Sequence, residues 1–173
     1  MERPPYENYE IILAHKWSTS TEYKSFLKDV EKLKNTKIID IEEDFNYSRI
    51  NNIAVENSKA DYIVLMNNDL FVIDEFWLER MLGEFELQDD VGIVGGRFFY
   101  PNETIQHAGV VLGVGGVACH AFAGLKRDDP GYGARAILSQ EISAVTAACL
   151  VIKKSVFDEV NGLDEKDLAV AFN

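Results

Sequence analysis

The residues best suited to chemistry are Asn67, Asn68 and Asp69, which follow directly after an uninterrupted apolar run, Tyr62–Met66. Such a run is typical of a strand that is covered on both faces, and open α/β sheets bind ligands beyond the carboxyl ends of their strands. A carboxylate flanked by two amides supplies the oxygen ligands that Mg²⁺ or Mn²⁺ prefers, and either ion can bridge a diphosphate. The same residue types are also typical of a plain strand-to-loop turn, so the motif alone leaves both interpretations open.

The overall charge favours a cation at such a site. The 173 residues include 29 acidic and 17 basic side chains, which give a formal net charge of −12. An acidic surface repels phosphate backbones, and this argues against nucleic-acid binding. An anionic small ligand would need a cation to help it bind, and a divalent ion would meet that need.

Length and composition predict a single globular domain over residues 1–173. Apolar residues make up 47% of the chain, which is enough for a core, and no linker or repeat interrupts it. Cys119 and Cys149 lie among small apolar residues without a metal-binding spacing, so we expect reduced thiols in a cytoplasmic protein. The first nine residues have no apolar segment, and we expect neither a secretory signal nor a membrane span.

The first half of the sequence alternates strand-like and helix-like segments. This pattern predicts an α/β fold with a mostly parallel central sheet flanked by helices. The predicted strands are residues 9–14, 37–41 and 62–66. The helices are expected to begin near Thr19, Ser48 and Asp74, which are residue types that cap helix N-termini. In the first helix, Tyr23 and Phe26 share the face that is expected to point inward.

The second half contains shorter predicted strands at residues 91–94, 98–100, 109–112 and 148–152. Residues 113–132 are rich in glycine and have no periodicity, which predicts a long loop. The segment 113–118 formally fits the glycine pattern of dinucleotide-binding folds. Gly124 and Pro130 interrupt the helix that such a fold would need next, so we expect a flexible loop instead.

Three sequence blocks, in order along the chain, resemble family 2 of the glycosyltransferases. The first is FNYSRINN at residues 45–52 with ADYIVLMNND at 60–69, and the second is YPNETIQHAGVV at 100–111. The third is SAVTAACL at 143–150, continued by VFDEVNGLDE at 156–165. The blocks are most similar to the branch that includes bacterial rhamnosyltransferase-like enzymes. The resemblance extends over nearly the whole chain.

This resemblance implies a Rossmann-like GT-A fold that binds a nucleotide-diphosphate sugar. In the family, the acid of an Asp-x-Asp-like motif helps bind the Mg²⁺ or Mn²⁺ ion that neutralises the diphosphate. Asp69 would take that role, with Asn67 and Asn68 beside it at the donor site. The implied reaction is an inverting, metal-assisted transfer of a hexosyl or rhamnosyl group to a glycan or lipid-linked acceptor in bacterial polysaccharide biosynthesis, with a carboxylate as general base.

The chain departs from the family pattern in three places. A strand and a helix normally precede the segment that begins at Tyr9, the general base is expected beyond Asn173, and His15 stands where an aspartate helps to hold the nucleotide. We therefore expect a fold truncated at both ends, without its first strand-helix unit. The alternative is a non-catalytic module that serves binding or assembly. An unpaired sheet edge would favour a homo-oligomer, and a peripheral position at the inner membrane face stays open for a full-length parent.

His107, Asp164 and Glu165 are candidates for the acceptor side of such a site. His107 equally suits a hydrogen-bonded structural role at the start of a strand, and the two acids equally suit a solvated turn after the Asn-Gly pair. His15 and His120 have no acid or second histidine at ligand spacing, so no zinc site is predicted.

Overall fold

The computed structural model describes residues 6–16 and 20–170, which form two compact units. The first unit contains the described residues up to Ile63 and those from Lys153 onward. The second unit is the continuous segment Val64–Ile152. None of the helices in the described part of the chain combines the length and the apolarity that a membrane crossing requires.

The first unit is built on a parallel pair of strands, β1 (Ile11–Lys16) and β2 (Thr36–Ile41), joined by helix α1 (Thr21–Val30). Helix α2 (Tyr47–Glu56) follows, and strand β3 (Tyr62–Met66) continues from the first unit into the second, which begins at Val64. The register of β1 and β2 places His15 opposite Asp40 at the carboxyl ends of both strands.

The helix caps differ in detail from the predicted ones. Ser20 caps α1 by accepting a hydrogen bond from Tyr23 N at 3.4 Å, and Thr19 lies outside the described residues. Asn46, not Ser48, caps α2, because its side chain accepts from Arg49 N at 2.8 Å. The predicted inward face of α1 is partly present: no residue of the helix is fully buried, but Tyr23, Leu27 and Val30 are half-buried, whereas Phe26 is exposed.

The second unit contains one long helix and several short strands. These elements are α3 (Trp77–Leu87), β4 (Ile93–Gly95), β5 (Phe98–Phe99), β6 (Ile105–His107), β7 (Val110–Leu112), β8 (Ala118–His120), a 3₁₀ turn (Tyr132–Ala134) and β9 (Cys149–Lys153). Helix α3 begins at Trp77, and the predicted cap Asp74 instead accepts from Phe76 N just before the helix. The last helix, α4 (Lys154–Glu159), belongs to the first unit.

The predicted mostly parallel central sheet is not confirmed. Within the described residues, β1 and β2 form the one parallel pair, whereas β4–β9, β5–β6 and β7–β8 are antiparallel. Strand β9 lies between β3 and β4, and its residues 149–152 are buried. Strand β3 also runs antiparallel to β9, because Lys154 N bonds Asp61 O and Asn67 N bonds Ala148 O, both at 2.8 Å. The apolar run of β3 is therefore matched by a strand from far along the chain.

Part of the glycine-rich segment predicted as a loop forms a hairpin instead. Strands β7 and β8 pair along its sides, and Gly113 N bonds Val117 O at 2.8 Å across the turn. The turn closes because Gly113, Gly115 and Gly116 have positive φ angles of 77°, 69° and 114°, which glycine adopts at low steric cost.

Candidate functional site

Asn67, Asn68 and Asp69 lie directly beyond the carboxyl end of β3 in the second unit. All three are exposed. Asn67 uses its backbone N–H to extend the pairing with the β9 segment, and a turn begins at Asn68. Within the described residues, no hydrogen bond or ion pair engages these three side chains. Their oxygens are therefore free to meet a ligand from solvent.

This donor set fits one kind of metal site. Among the described residues, no three His, Cys, Asp or Glu side chains come together to hold an ion. An all-protein metal cage is thus not formed there. Mg²⁺, however, is often held by one or two carboxylates together with the phosphates of a substrate. Asp69, with the amide oxygens of Asn67 and Asn68, suits an ion of that kind.

His107 lies at the end of β6 and is 1% exposed. Its ring stacks on Phe98, with 5.4 Å between centroids, and its Nδ1 lies 2.7 Å from Nδ1 of His120. Burial first, and the neighbouring His120 second, lower the pKa of His107 to about 4. A buried neutral imidazole matches the structural interpretation of this residue better than direct contact with a ligand.

Asp164 shapes the turn that follows α4. Its Oδ1 accepts hydrogen bonds from Lys166 N and Asp167 N, both at 2.9 Å. These backbone donors lower the pKa of the Asp164 carboxyl, so this exposed side chain is an anion at neutral pH and a poor proton acceptor.

The other acid, Glu165, is held by α2. Its Oε1 accepts from Asn52 Nδ2 at 2.8 Å and lies 3.6 Å from Arg49 Nη1. Arg49 also pairs with Glu43, with 3.2 Å between Nε and Oε2. The structure thus brings Asp164 and Glu165 into one turn of the first unit, where both carboxylates already have partners from the chain.

The polar face of α2 that binds this turn was not predicted from the sequence. Ser48 is fully buried and donates to Leu168 O at 2.7 Å, and Asn46 Nδ2 donates to Glu165 O at 2.8 Å. Asn52 bonds both backbone groups of Leu163 at 2.9 Å. A signal was present, because Ser48 and Asn52 are four residues apart and so lie on one face of the helix.

His15 is buried at the end of β1. Its Nε2 lies 2.8 Å from Asp40 Oδ1, which is an ion-pair distance without the alignment of a hydrogen bond, and its ring meets Tyr23 edge-on at 5.4 Å. Where the family pattern has an aspartate, β1 therefore supplies the imidazole of His15. The carboxylate beside it, Asp40, comes from β2.

Two curated proteins are similar to nearly the whole chain. The uncharacterized protein y4gI of Sinorhizobium fredii (strain NBRC 101917 / NGR234) is 40% identical over 172 residues, which are 99% of this chain and 19% of the relative. The O-antigen biosynthesis protein RfbC of Myxococcus xanthus is 32% identical over 165 residues, which are 93% of this chain and 12% of the relative. The chain thus spans less than a fifth of the length of either relative.

No solved structure matches the chain. The family model described as Glycosyl transferase family 2 matches residues 1–160. That match covers most of the sequence and includes Asn67, Asn68, Asp69 and His107. The chain therefore belongs to glycosyl transferase family 2.

Proposed function

We propose that this chain is the donor-binding part of a glycosyltransferase that takes its sugar from a nucleotide-diphosphate sugar. Family membership and the name of the Myxococcus relative, an O-antigen biosynthesis protein, support this class of reaction. The observation that carries the proposal is the exposed, unengaged carboxylate of Asp69 beyond the end of β3. In an open α/β fold this is where ligands bind.

Asp69 is proposed to bind Mg²⁺ or Mn²⁺ together with the donor, with Asn67 and Asn68 orienting the diphosphate through their amide groups. The bound ion would supply positive charge that stabilises the diphosphate as it leaves. An exposed carboxylate at a strand end can take this role without reorganising the fold. The chain's net charge of −12 disfavours an anionic donor, and a bound cation would offset that repulsion.

We further propose that the transfer inverts the anomeric carbon and that the transferred group is a hexosyl or rhamnosyl group. A glycan or a lipid-linked glycan is the proposed acceptor, consistent with the name of the Myxococcus relative, an O-antigen biosynthesis protein. Asp164 and Glu165 remain candidates for the acceptor side through their turn. Because both carboxylates have partners within the chain, we expect them to shape that surface rather than to act as the general base.

The decisive measurement is calorimetric titration with UDP and with dTDP, each in the presence and absence of Mn²⁺. We expect Mn²⁺-dependent nucleotide binding by the parent chain and a loss of about tenfold or more in Asp69→Asn. The matched control is Asp90→Asn, which removes an exposed carboxylate from the turn after α3. Equal binding by the parent and Asp69→Asn would refute the metal role of Asp69.

A non-catalytic, sugar-binding module is the second candidate. The observation that favours it is the buried His15 beside Asp40, at the position where the family pattern has an aspartate. Release of nucleotide from a nucleotide-diphosphate sugar by this chain, abolished in Asp69→Asn, would rule this candidate out. Association of copies through a sheet edge is a separate proposal that light scattering tests.

A further inference from the structure

The sequence contains one Asn-Gly pair, Asn161–Gly162, and this pair lies in the turn after α4. The side-chain amide of an asparagine can be attacked by the backbone nitrogen of the next residue, and glycine hinders that attack least because it has no Cβ. Such chemistry makes asparagine one of the thermolabile residue types. Asn161 is exposed, and among the described residues no hydrogen bond engages its carboxamide. Its side chain is therefore free to react.

The fold engages the nitrogen that would attack. Gly162 N donates to Phe157 O at 2.8 Å, and Phe157 is a buried residue of α4. Asn161 N donates to Asp158 O at 3.1 Å, and the φ angle of Asn161 is left-handed at 63°. These two bonds and this φ angle form a Schellman motif, which ends a helix. The attack on the Asn161 side chain can begin only when the bond from Gly162 N opens.

A second contact keeps this turn closed. Gly162 lies against α2, since a Cβ there would be 2.6 Å from Asn52 Oδ1. Asn52 also bonds both backbone groups of Leu163, the residue that follows. Opening of the turn must therefore break the Asn52 contacts together with the Schellman bonds, as one local unfolding event. The frequency of that event limits how fast Asn161 can react.

We propose that Asn161 is a site of spontaneous deamidation whose rate in the folded chain is controlled by the opening of the turn at Gly162. Gly162 N gives its proton to a base in the solvent and bonds to Cγ of Asn161, and the side-chain nitrogen leaves as ammonia. Water then opens the cyclic imide at either carbonyl, which yields aspartate or isoaspartate at position 161. The overall reaction consumes water, releases ammonia and needs no other reactant.

The isoaspartyl product is expected to loosen the turn. Its main chain runs through the former side chain, so the path from position 161 to Gly162 is longer by a carbon atom. Gly162 already lies too close to Asn52 for a Cβ, and a lengthened backbone cannot keep both the Schellman bonds and the bonds between Asn52 and Leu163. The turn that carries Asp164 and Glu165 would then detach from α2. This inference is independent of the sugar-transfer proposal, since it uses none of the donor-site residues.

The test is incubation of the folded chain in mildly alkaline buffer, followed by digestion and mass spectrometry of the peptide that contains position 161. We expect deamidation there to be slower by about tenfold or more than in the same chain unfolded in urea, because the closed turn keeps Gly162 N engaged. Asn52→Ala should raise the rate in the folded chain about tenfold. The matched control is Asn51→Ala, which removes a bond within α2 and should react like the parent.

Two further measurements keep the test independent of how well Asn52→Ala folds. Hydrogen exchange of the Gly162 N–H in the parent reports the same opening, and urea below the unfolding transition should accelerate exchange and deamidation in parallel. In the urea-unfolded chain, Asn102 is the internal reference, because the side chain of Glu103 hinders attack there. Asn161 should react faster than Asn102.

Three results would overturn the proposal: no deamidation at position 161 in urea, equal rates in the folded and the unfolded chain, or fast exchange of the Gly162 N–H with slow deamidation. The loosening of the turn is measured on the isoaspartyl fraction, which its added negative charge separates from the parent. This fraction should unfold at a lower urea concentration than Asn161→Asp, which carries the same charge on a normal backbone. Equal unfolding midpoints would contradict the detachment of the turn.

Discussion

Asn52 binds both backbone groups of Leu163, a residue 111 positions later in the chain. Its Nδ2 donates to Leu163 O and its Oδ1 accepts from Leu163 N, each at 2.9 Å. The contact is close because Gly162 has no side chain, and a Cβ there would lie 2.6 Å from Asn52 Oδ1. One carboxamide thus fixes where the turn after α4 meets α2.

Asn52→Ala is expected to lower the free energy of unfolding by about 2–3 kcal/mol, since it leaves the N–H and C=O of Leu163 without their partners. Asn51→Ala is the matched control on the same helix. Asn51 Nδ2 bonds Tyr47 O within α2, so its loss should cost less than about 1 kcal/mol. Urea unfolding of both variants provides the comparison, and equal losses would show that Asn52 does not hold the turn.

His107 should make stability depend on pH. Burial lowers the pKa of His107 to about 4 in the folded chain. The unfolded chain therefore binds a proton at this residue near pH 6.5, whereas the folded chain binds it only near pH 4. The contribution of His107 to the free energy of unfolding is complete above about pH 6.5. It decreases as the pH falls, by about 2–3 kcal/mol between pH 7 and 4.5. Urea unfolding at both pH values should show a smaller pH effect in His107→Gln than in the parent. The same pH effect in both proteins would contradict the prediction.

Gly109 is expected to accept a side chain only with backbone strain and a shift of the Ile142 side chain. Its φ angle is 99°, and an added Cβ would overlap Cδ1 of Ile142. Gly113 also has a positive φ, but open space surrounds it. Gly109→Ala should therefore lower the unfolding free energy by about 2 kcal/mol more than Gly113→Ala, which has only the backbone strain. Thermal unfolding checks this difference, and adding Ile142→Ala to Gly109→Ala should recover part of the steric loss.

Arg97 and Arg127 both lie over the ring of Phe99, at 4.7 Å and 4.9 Å from its centroid, but they should differ in importance. Arg97 also donates to Ala136 O at 2.7 Å and Arg127 O at 3.3 Å. One ammonium cannot reproduce that planar geometry, so Arg97→Lys should cost about 2 kcal/mol. Arg127→Lys should cost less than about 1 kcal/mol, because its other partner, Glu103, is exposed. Chemical denaturation of the two variants would reveal the order, and the reverse order would refute it.

The parts of the fold that local pattern determines could be predicted. The strand at Tyr62–Met66 follows from its apolar run. The end of α4 at Glu159 is followed by Asn161 and Gly162, whose positive φ angles of 63° and 75° do not continue a helix. The position of Asp69 beyond a strand end follows from the same run. These features depend on neighbours in the sequence, which is where propensity and capping act.

The partners across the sheet could not be predicted. The sequence of an apolar strand does not indicate whether its neighbour will be parallel or antiparallel. Strand β3 pairs with the antiparallel β9, which lies far along the chain. The buried polar face of α2 was missed for a similar reason. Serine is a residue type that often caps helices, so Ser48 was predicted as a cap. Its hydroxyl points inward because it donates to Leu168 O, 120 residues away. In both cases the deciding contact is distant in sequence, and local sequence patterns do not predict such contacts.

The division of the first unit between the two ends of the chain affects its biosynthesis. The segment Val64–Ile152 is continuous and emerges from the ribosome complete. Helix α2 is translated earlier, yet Ser48 and Asn52 lack their acceptors until Leu163 and Leu168 have left the exit tunnel. We therefore expect the second unit, which is one continuous segment, to fold first during translation. The first unit should close only after Leu168 has left the exit tunnel.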